Sequence, residues 1–336
     1  MTLKIAINGF GRIGRGVLRA LLESGAEDVE VVAINDLAPA ETLLHLLKYD
    51  SVHGRLTVPA TISGGRLKAG RHDIRLTAER NPEDLPWQDV DVAFECTGIF
   101  VSRDTAARHL KNGSKRVLIS APGKEADRTV VYGVNHMDLT ADDVVVSNAS
   151  CTTNCLAPVA KVLDETFGIK TGYMTTIHAY TGDQPTHDAS HKDLYRARAA
   201  ALSMIPTSTG AARAISEVLP HLEGRLEGSA IRVPTANVSM VDLTFMPERA
   251  ATVEEVNAAM KAAAEGPLKG ILSYETEPLV SVDFNHDPHS SCFAAPQTAV
   301  TSEGLVRVVS WYDNEWGFSN RMVDTGRRIG EVLKAG

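Results

Sequence analysis

Cysteine is scarce in this chain: Cys96, Cys151, Cys155 and Cys292 are the only four in 336 residues. So few thiols over such a length exclude a disulfide framework and fit a reducing compartment, read here as the cytoplasm. There is no CxxC or HExxH, and the eleven histidines fall at no metal-ligand spacing, so no metal is expected. No apolar run approaches the length of a membrane span, so no membrane partner is expected. Long basic runs are missing too and the net charge is −8, which argues against nucleic-acid binding. The opening Met1-Thr2-Leu3-Lys4-Ile5-Ala6-Ile7 lacks a leader layout and reads as a first strand. No internal repeat is present.

What remains is a chain that is 43% hydrophobic and long enough for two domains. Its first half alternates strand-like and helix-like runs. Leu3–Ile7 leads directly into Asn8-Gly9-Phe10-Gly11-Arg12-Ile13-Gly14, and Arg15–Leu22 has helical spacing. A GxGxxG between a strand and a helix is where a dinucleotide site needs it. Gly9 makes the tight turn, Gly11 admits the pyrophosphate, and Gly14 lets helix and strand pack closely. The phosphates then rest on the helix N-terminus. The next strand, Val29–Ile34, ends in Asn35-Asp36. Asp36 lies 22 residues beyond Gly14, the place for an acid that binds a ribose 2′-hydroxyl and favours NAD over NADP. The competing role for Asp36 is a cap for a helix over Ala40–Leu47. Val90–Glu95 and Arg116–Ile119 read as further strands, and Ser102–Leu110 as a helix closed by Asn112-Gly113. Thr97-Gly98 and Ser120 fall at strand C-terminal ends, where an open parallel sheet holds its ligand.

The chemistry centres on Ser147-Asn148-Ala149-Ser150-Cys151-Thr152-Thr153-Asn154-Cys155. A strand-like run, Asp143–Val146, precedes it and a helix-like run, Leu156–Phe167, follows. Pro158 inside that helix predicts a kink or a late start. A cysteine at a strand-to-helix junction sits among unpaired N–H groups, where its thiol pKa is expected to fall. Cys151 has small polar neighbours and is the candidate nucleophile, whereas Cys155 reads as core. His178 ends the strand-like Tyr173–His178 and is the natural partner. Tyr180–Ser203 is long, polar and basic for a loop, which marks it as functional. Ile205–Gly210 then leads into a helix expected over Ala211–Leu219, whose start would suit a phosphate. Arg196 and Arg232 are otherwise ordinary surface arginines, but together with that Thr-rich start they make phosphate recognition plausible. Thr252-Val253-Glu254-Glu255 is a capping box for a helix over Val253–Glu265. Ser319 is the expected cap of a final helix. The strands of this half read as antiparallel and its helices as grouped, an α+β arrangement.

Taken in order along essentially the whole chain, these motifs resemble the phosphorylating glyceraldehyde-3-phosphate dehydrogenase family. Asn8–Arg15, Ala149–Leu156, Arg196–Ala200, Pro206–Ala212 and Trp311–Glu315 carry the resemblance. It implies an α/β chain: a Rossmann dinucleotide-binding domain over 1–150, an α+β catalytic domain with a mostly antiparallel sheet over 151–317, and a helix over 318–336 packing back on the first domain. It implies that Cys151 is the nucleophile and that His178 activates it and helps hold the oxyanion. Gly9, Gly11, Arg12, Ile13, Gly14, Asp36, Arg80, Ser120 and Asn314 would hold NAD. Ser150, Thr152, Thr181, Asp183, Arg196, Thr209, Gly210 and Arg232 would form the sites for substrate phosphate and inorganic phosphate. The implied protein is a cytoplasmic homotetramer of central sugar metabolism, in glycolysis, gluconeogenesis or carbon fixation, with Tyr180–Ser203 at a subunit interface close to the cofactor.

Two departures stand out. Asp188-Ala189-Ser190-His191 has Ala-Ser where NAD-strict members commonly have Leu-Pro, as in members that accept NADP. With Asp36 arguing the other way, the expectation is NAD preference with secondary NADP use. Tyr195 stands where many members have Arg. The nearest rival on the same scaffold is erythrose-4-phosphate dehydrogenase, which departs in the Thr181–Asp183 and Thr207–Gly210 stretches. A Cys–His hydrolase would leave the first half without a purpose. A non-catalytic NAD- or redox-sensing protein would not need both Cys151 and His178.

Overall fold

The computed structural model describes residues 2–335. The chain divides into two compact units, Met1–Ser150 with Ser319–Gly336, and Cys151–Phe318.

In the first unit β1 (Leu3–Asn8) runs into the glycine turn and α1 (Arg12–Ser24) follows. Gly9 has φ of 89°, and a Cβ there would lie 2.7 Å from the Thr97 amide nitrogen. Only glycine makes this turn without moving a backbone. β2 (Val29–Asn35) pairs parallel to β1, and α2 (Ala40–Lys48) leads into a small hairpin of β3 (Tyr49–Asp50) and β4 (Gly54–Arg55). The antiparallel run of β5 (Ala60–Ser63), β6 (Arg66–Ala69) and β7 (His72–Thr77) joins the sheet through a parallel β2–β7 pair.

β8 (Val92–Glu95) is followed by two short helices, α3 (Arg103–Ala106) and α4 (Arg108–Lys111). The single helix expected over Ser102–Leu110 is therefore broken. At Ala107 the N–H is shared between the carbonyls of Arg103 and Thr105, a tightened turn that ends the first piece. β9 (Arg116–Ile119), β10 (Arg128–Thr129) and β11 (Val145–Ser147) complete a nine-stranded sheet of order β10-β11-β9-β8-β1-β2-β7-β6-β5. All strand pairs from β10 to β7 are parallel, so the C-terminal ends of β1, β2, β8 and β9 lie along one edge, where open parallel sheets hold ligands.

In the second unit α5 (Cys151–Phe167) precedes β12 (Ile169–Ala179). The helix starts at Cys151 and includes Pro158, so the late start expected from the proline is absent. Pro158 cannot donate to the carbonyl of residue 154, but that loss is local. Cys155, Leu156, Ala157, Val159 and Leu163 are all buried, and packing outweighs the single missing bond.

β13 (Ile205–Ser208) comes next, and the helix expected over Ala211–Leu219 shrinks to one turn, α6 (Ile215–Val218). β14 (Leu226–Val233), β15 (Ser239–Pro247), α7 (Val253–Glu265), β16 (Leu272–Glu275), β17 (Ser291–Ala294), β18 (Ala299–Val300) and β19 (Val306–Tyr312) follow. α7 begins with the expected reciprocal box between Thr252 and Glu255. The eight strands form a mostly antiparallel sheet, with β12–β14 and β16–β17 parallel.

α8 (Trp316–Ala335) closes the chain. Its cap is Asp313, not Ser319: Asp313 Oδ1 accepts from the N–H groups of Glu315 at 3.0 Å and Trp316 at 2.8 Å. Ser319 lies fully buried one turn inside. Within the first unit, α8 packs on the sheet through Gly326, where a Cβ would sit 2.5 Å from the Phe94 ring. Arg327 pairs with Asp28 at 2.7 Å. In an exposed helix Gly→Ala would stabilise by about 1 kcal/mol. Here the ring contact wins, and Gly326→Ala should lower stability by about 1–3 kcal/mol in denaturant titrations.

Candidate active site

The ends of β1, β2, β7 and β8 in the first unit enclose a pocket of about 440 Å³. It is lined by Asn8, Gly9, Gly11, Asp36, Arg80 and Thr97 among others. Glycine at position 11 leaves open space where a side chain would stand, with nothing within 4 Å of a Cβ built there. That opening faces the first turn of the 13-residue α1, and a helix N-terminus suits a pyrophosphate. Gly14 holds the helix start against the turn, since its Cβ would lie 2.2 Å from the Gly9 carbonyl oxygen. The pocket, the open glycine face and the acid at the β2 tip fit a dinucleotide.

Asp36 also shapes the loop. Its Oδ2 accepts from Phe10 N–H at 2.8 Å and its Oδ1 from Ala38 N–H at 2.9 Å, while Pro39, just before α2, leaves that helix with no side-chain cap. Arg12 and Ile13 open α1. The Arg12 guanidinium forks onto Asp50, with Nη1–Oδ2 at 2.5 Å and Nη2–Oδ1 at 3.1 Å. Ser120 follows β9 and donates its N–H to the Glu95 carbonyl at 3.0 Å.

Ser150 ends the first unit. Ala149 before it has φ of 56°, a left-handed conformation costly for alanine, and it is braced by its N–H bond to Ser147 Oγ at 3.1 Å. This strained elbow turns the chain from strand to helix just ahead of the nucleophile candidate.

In the second unit Cys151 and His178 meet: Sγ lies 3.6 Å from Nε2. Sequence separates them by 27 residues; α5 and β12 bring them together. His178 Nδ1 lies 2.7 Å from the Ala179 carbonyl, which can only accept, so Nδ1 carries the proton. That leaves the Nε2 lone pair facing the thiol, the tautomer of a base. Arg232 Nη1 shares the Ala179 carbonyl at 3.1 Å and lies 3.1 Å from Nδ1. Burial and the Arg232 charge together hold the His178 pKa down to about 3, so the ring is neutral at physiological pH.

The expected depression of the Cys151 pKa is not what the structure shows. Burial raises the thiol, while the Arg232 charge, Thr152 and the N–H groups of residues 151 and 152 pull it back only in part. The resting pair is a thiol beside a neutral imidazole. Tyr312 supports this wall: its buried hydroxyl bridges Thr152 Oγ1 and Thr176 Oγ1, each at 2.8 Å, and its ring meets His178 edge-on at 5.9 Å. The Thr152 hydroxyl, expected on phosphate, is thus engaged with Tyr312.

A second cluster surrounds the arginines. Arg196 Nη1 donates to Asp183 Oδ2 at 2.9 Å, and its Nε donates to Thr207 Oγ1 at 3.1 Å. Thr207 in turn donates to Asp193 at 2.7 Å. Asp183 is an anion and holds the guanidinium; it offers a phosphate nothing itself. Arg232 Nη1 reaches Thr181 Oγ1 at 3.5 Å, and its buried Nε has no hydrogen-bond partner among the described residues. Thr209 and Gly210 lie in a turn, with the Ala211 N–H on Thr209 Oγ1 at 3.2 Å and the Ala214 N–H on the Gly210 carbonyl at 2.9 Å. The anticipated helix start is absent here, so this stretch offers turn N–H groups and hydroxyls without a helix dipole.

Asn314 is tied to the same region. Its Oδ1 accepts from Ser239 Oγ at 2.7 Å, and Ser239 Oγ accepts from the Ala179 N–H at 3.0 Å. Tyr312, Thr207 and Asp193 were missed as supports, although Tyr312 lies inside the Trp311–Glu315 motif. Among the described residues, Asp287, His289 and Cys292 bring possible metal-ligand atoms within 4.8 Å of one another. The Asp287 carboxylate is already taken up by the His289 N–H and Nδ1, both at 2.8 Å.

A parallel sheet with a glycine turn, an open helix start and an acid at its second strand defines a dinucleotide-binding protein. The family model described as the glyceraldehyde 3-phosphate dehydrogenase NAD binding domain matches residues 3–103, and that for the C-terminal domain matches 150–314. A glyceraldehyde-3-phosphate dehydrogenase of Cereibacter sphaeroides is 66% identical over 99% of this chain and 100% of its own length. One of Xanthobacter flavus is 63% identical over the same shares. One of Geobacillus stearothermophilus is 58% identical over 98% of each chain. The chain belongs to the glyceraldehyde-3-phosphate dehydrogenase family.

Two outcomes follow from this geometry. Alkylation of Cys151 by iodoacetamide should rise with pH along the raised thiol titration and show no inflection near the ordinary histidine value of 6.5. His178→Asn should slow it about tenfold or more at neutral pH by removing the proton acceptor; an unchanged rate would remove His178 from the pair.

Asp50 gives a stability test. Burial raises its carboxyl, but the His53 N–H, Arg12 and the Val52 N–H bring it to about 2 from 3.8. A depressed folded pKa stabilises above the unfolded value and loses that contribution as pH falls through the folded one. Asp50→Asn should cost about 2 kcal/mol at neutral pH, and urea melts of the two proteins should converge between about pH 4 and 2.

Proposed function

We propose that the protein catalyses the phosphorylating oxidation of D-glyceraldehyde 3-phosphate to 1,3-bisphosphoglycerate with NAD and inorganic phosphate. The observation that carries this reading is the Cys151 thiol facing the Nε2 lone pair of a neutral His178, beside the buried Nε of Arg232. His178 Nε2 takes the thiol proton as Cys151 Sγ bonds to the aldehyde carbon, giving a thiohemiacetal. The protonated ring then donates to the oxygen that was the carbonyl. NAD, when bound, supplies the hydride acceptor, and Gly9, Gly11, Arg12, Ile13, Gly14, Asp36, Arg80, Ser120 and Asn314 are the residues proposed to hold it. As the hydride leaves for that acceptor, the hydroxyl proton returns to His178 Nε2, and a thioester remains on Cys151. A phosphate oxygen attacks that carbonyl carbon, the C–S bond breaks, and the acyl phosphate departs. Sulfur suits this step because a thioester keeps the energy of oxidation available to the phosphate.

Two anions are needed, one on the substrate and one free. Arg196 and Arg232, with Ser150, Thr152, Thr181, Thr209 and Gly210, are proposed to bind them, and Asp183 to fix Arg196. Asp36 supports NAD as the main cofactor, since its carboxylate would repel a 2′-phosphate. Ala189-Ser190 supports secondary use of NADP. The resemblance also implies a cytoplasmic homotetramer.

The test is NADH absorbance with the aldehyde supplied and phosphate present or omitted, run with NAD and then NADP. Sustained turnover only with phosphate is expected, with at most a single burst in its absence. Sustained phosphate-free turnover would mean that water resolves the thioester and that the second anion site is wrong. Erythrose 4-phosphate should give the lower kcat/KM; the reverse order would favour the rival dehydrogenase. Cys151→Ser should abolish turnover.

A further inference from the structure

Beneath the dinucleotide pocket lies a carboxylate that the reaction does not use. Glu95 ends β8 and is 1% exposed. Among the described residues no lysine or arginine pairs with it; its partners are neutral donors and a buried histidine. Oε2 accepts from Asn8 Nδ2 at 2.7 Å and lies 2.9 Å from His109 Nε2. Oε1 accepts from the Thr97 N–H at 2.9 Å and from the Thr97 hydroxyl. Asn8 passes the connection on, because its Oδ1 accepts from Asn35 Nδ2 at 2.8 Å. Asn35 Nδ2 also donates to the Glu79 carbonyl at 2.8 Å, and its Oδ1 accepts from the Glu79 N–H at 2.8 Å and the Thr77 hydroxyl at 2.9 Å.

Four members, Asn8, Asn35, Glu79 and Thr97, line the pocket themselves. Asn8 precedes Gly9, Asn35 precedes Asp36, Glu79 precedes Arg80, and Thr97 follows the Cys96 wall. The spacing has little slack. Gly9 is already so close to Thr97 that a Cβ would strike its nitrogen at 2.7 Å. A carboxylate accepting on both oxygens can draw the Gly9 and Thr97 turns together; an amide in its place would turn one end into a donor facing donors.

We propose that Glu95 is a positioning residue for the dinucleotide, acting through Asn8 and Thr97 to set the gap between the glycine turn and the β8 turn. This rests on the NAD reading above. The effect belongs to cofactor affinity, because no member of the network is Cys151, His178 or one of their partners.

The experiment compares Glu95→Gln with the wild type in the full chain. NAD affinity is read by calorimetry without substrate, alongside KM for NAD, KM for aldehyde and phosphate, kcat and thermal unfolding. Kd and KM for NAD should rise about tenfold, with kcat and the other KM values unchanged. The double variant Glu95→Gln, Asn8→Asp reverses the donor and acceptor at the same net charge and should recover most of the lost affinity. A folded Glu95→Gln protein with wild-type Kd overturns the proposal, as does a loss shared equally by kcat and every KM.

Should Glu95→Gln fail to fold, His109 supplies the second arm, since it does not line the pocket. His109→Gln keeps a donor to Oε2 and should bind NAD normally, whereas His109→Leu should bind it several-fold more weakly. Equal Kd values for that pair overturn the proposal. Wild-type protein that binds no NAD would instead refute the proposed function, a distinct result.

Discussion

Arg232 is the constraint on which the second unit's site depends. One guanidinium nitrogen shares the Ala179 carbonyl with the imidazole N–H, and its charge works with burial to keep His178 unprotonated. The same charge is the main influence drawing the half-buried Cys151 thiol back toward ionisation. A single half-buried cation therefore opposes positive charge on the base and favours negative charge on the nucleophile. Charge then appears on the pair only as the proton moves, which is when a transition state benefits from it. Tyr312, Thr152 and Thr176 hold the neighbouring wall through neutral hydroxyl bonds, so they add rigidity without adding charge.

The first unit works differently. Its pocket depends on spacing: strand ends aligned by parallel pairing, a turn that only glycine can make, and an open face before the helix start. Fixed backbone dipoles bind phosphate well only if the loops bearing them do not drift. The buried polar residues under those loops fit that need, and hydrocarbon in their place would pack but would not fix hydrogen-bond directions.

Most of the first unit was legible because its signals are local. A strand, a glycine turn, a helix and an acid at a fixed distance lie within Leu3–Asp36. The Thr252 capping box was legible for the same reason, since both partners lie within one turn. Legibility failed where tertiary packing decided. Pro158 argued against a helix start at Cys151, but the burial of its neighbours carried the helix through. The apolar spacing after Gly210 suggested a helix, yet the chain there forms turns. Ser319 looked like a cap, whereas Asp313 holds that position and the serine is core. The thiol shift was misjudged because helix position is visible in sequence and desolvation is not. The meeting of Cys151 with His178, and the bracing of Arg196 by Asp183 and Thr207, depend on sheet register that no short motif records.

The first unit is discontinuous in sequence, with α8 returning to it after the whole of Cys151–Phe318. A ribosome therefore delivers that unit in two instalments. Until α8 emerges, the sheet face that meets Gly326 lacks its cover, so Phe94 and its neighbours have to wait while the second unit is made. At ordinary elongation rates that delay is about ten seconds to half a minute. The second unit is contiguous and can complete its own core as it emerges. The order of maturation at the ribosome is thus the reverse of the order in the gene: the unit encoded first is finished last.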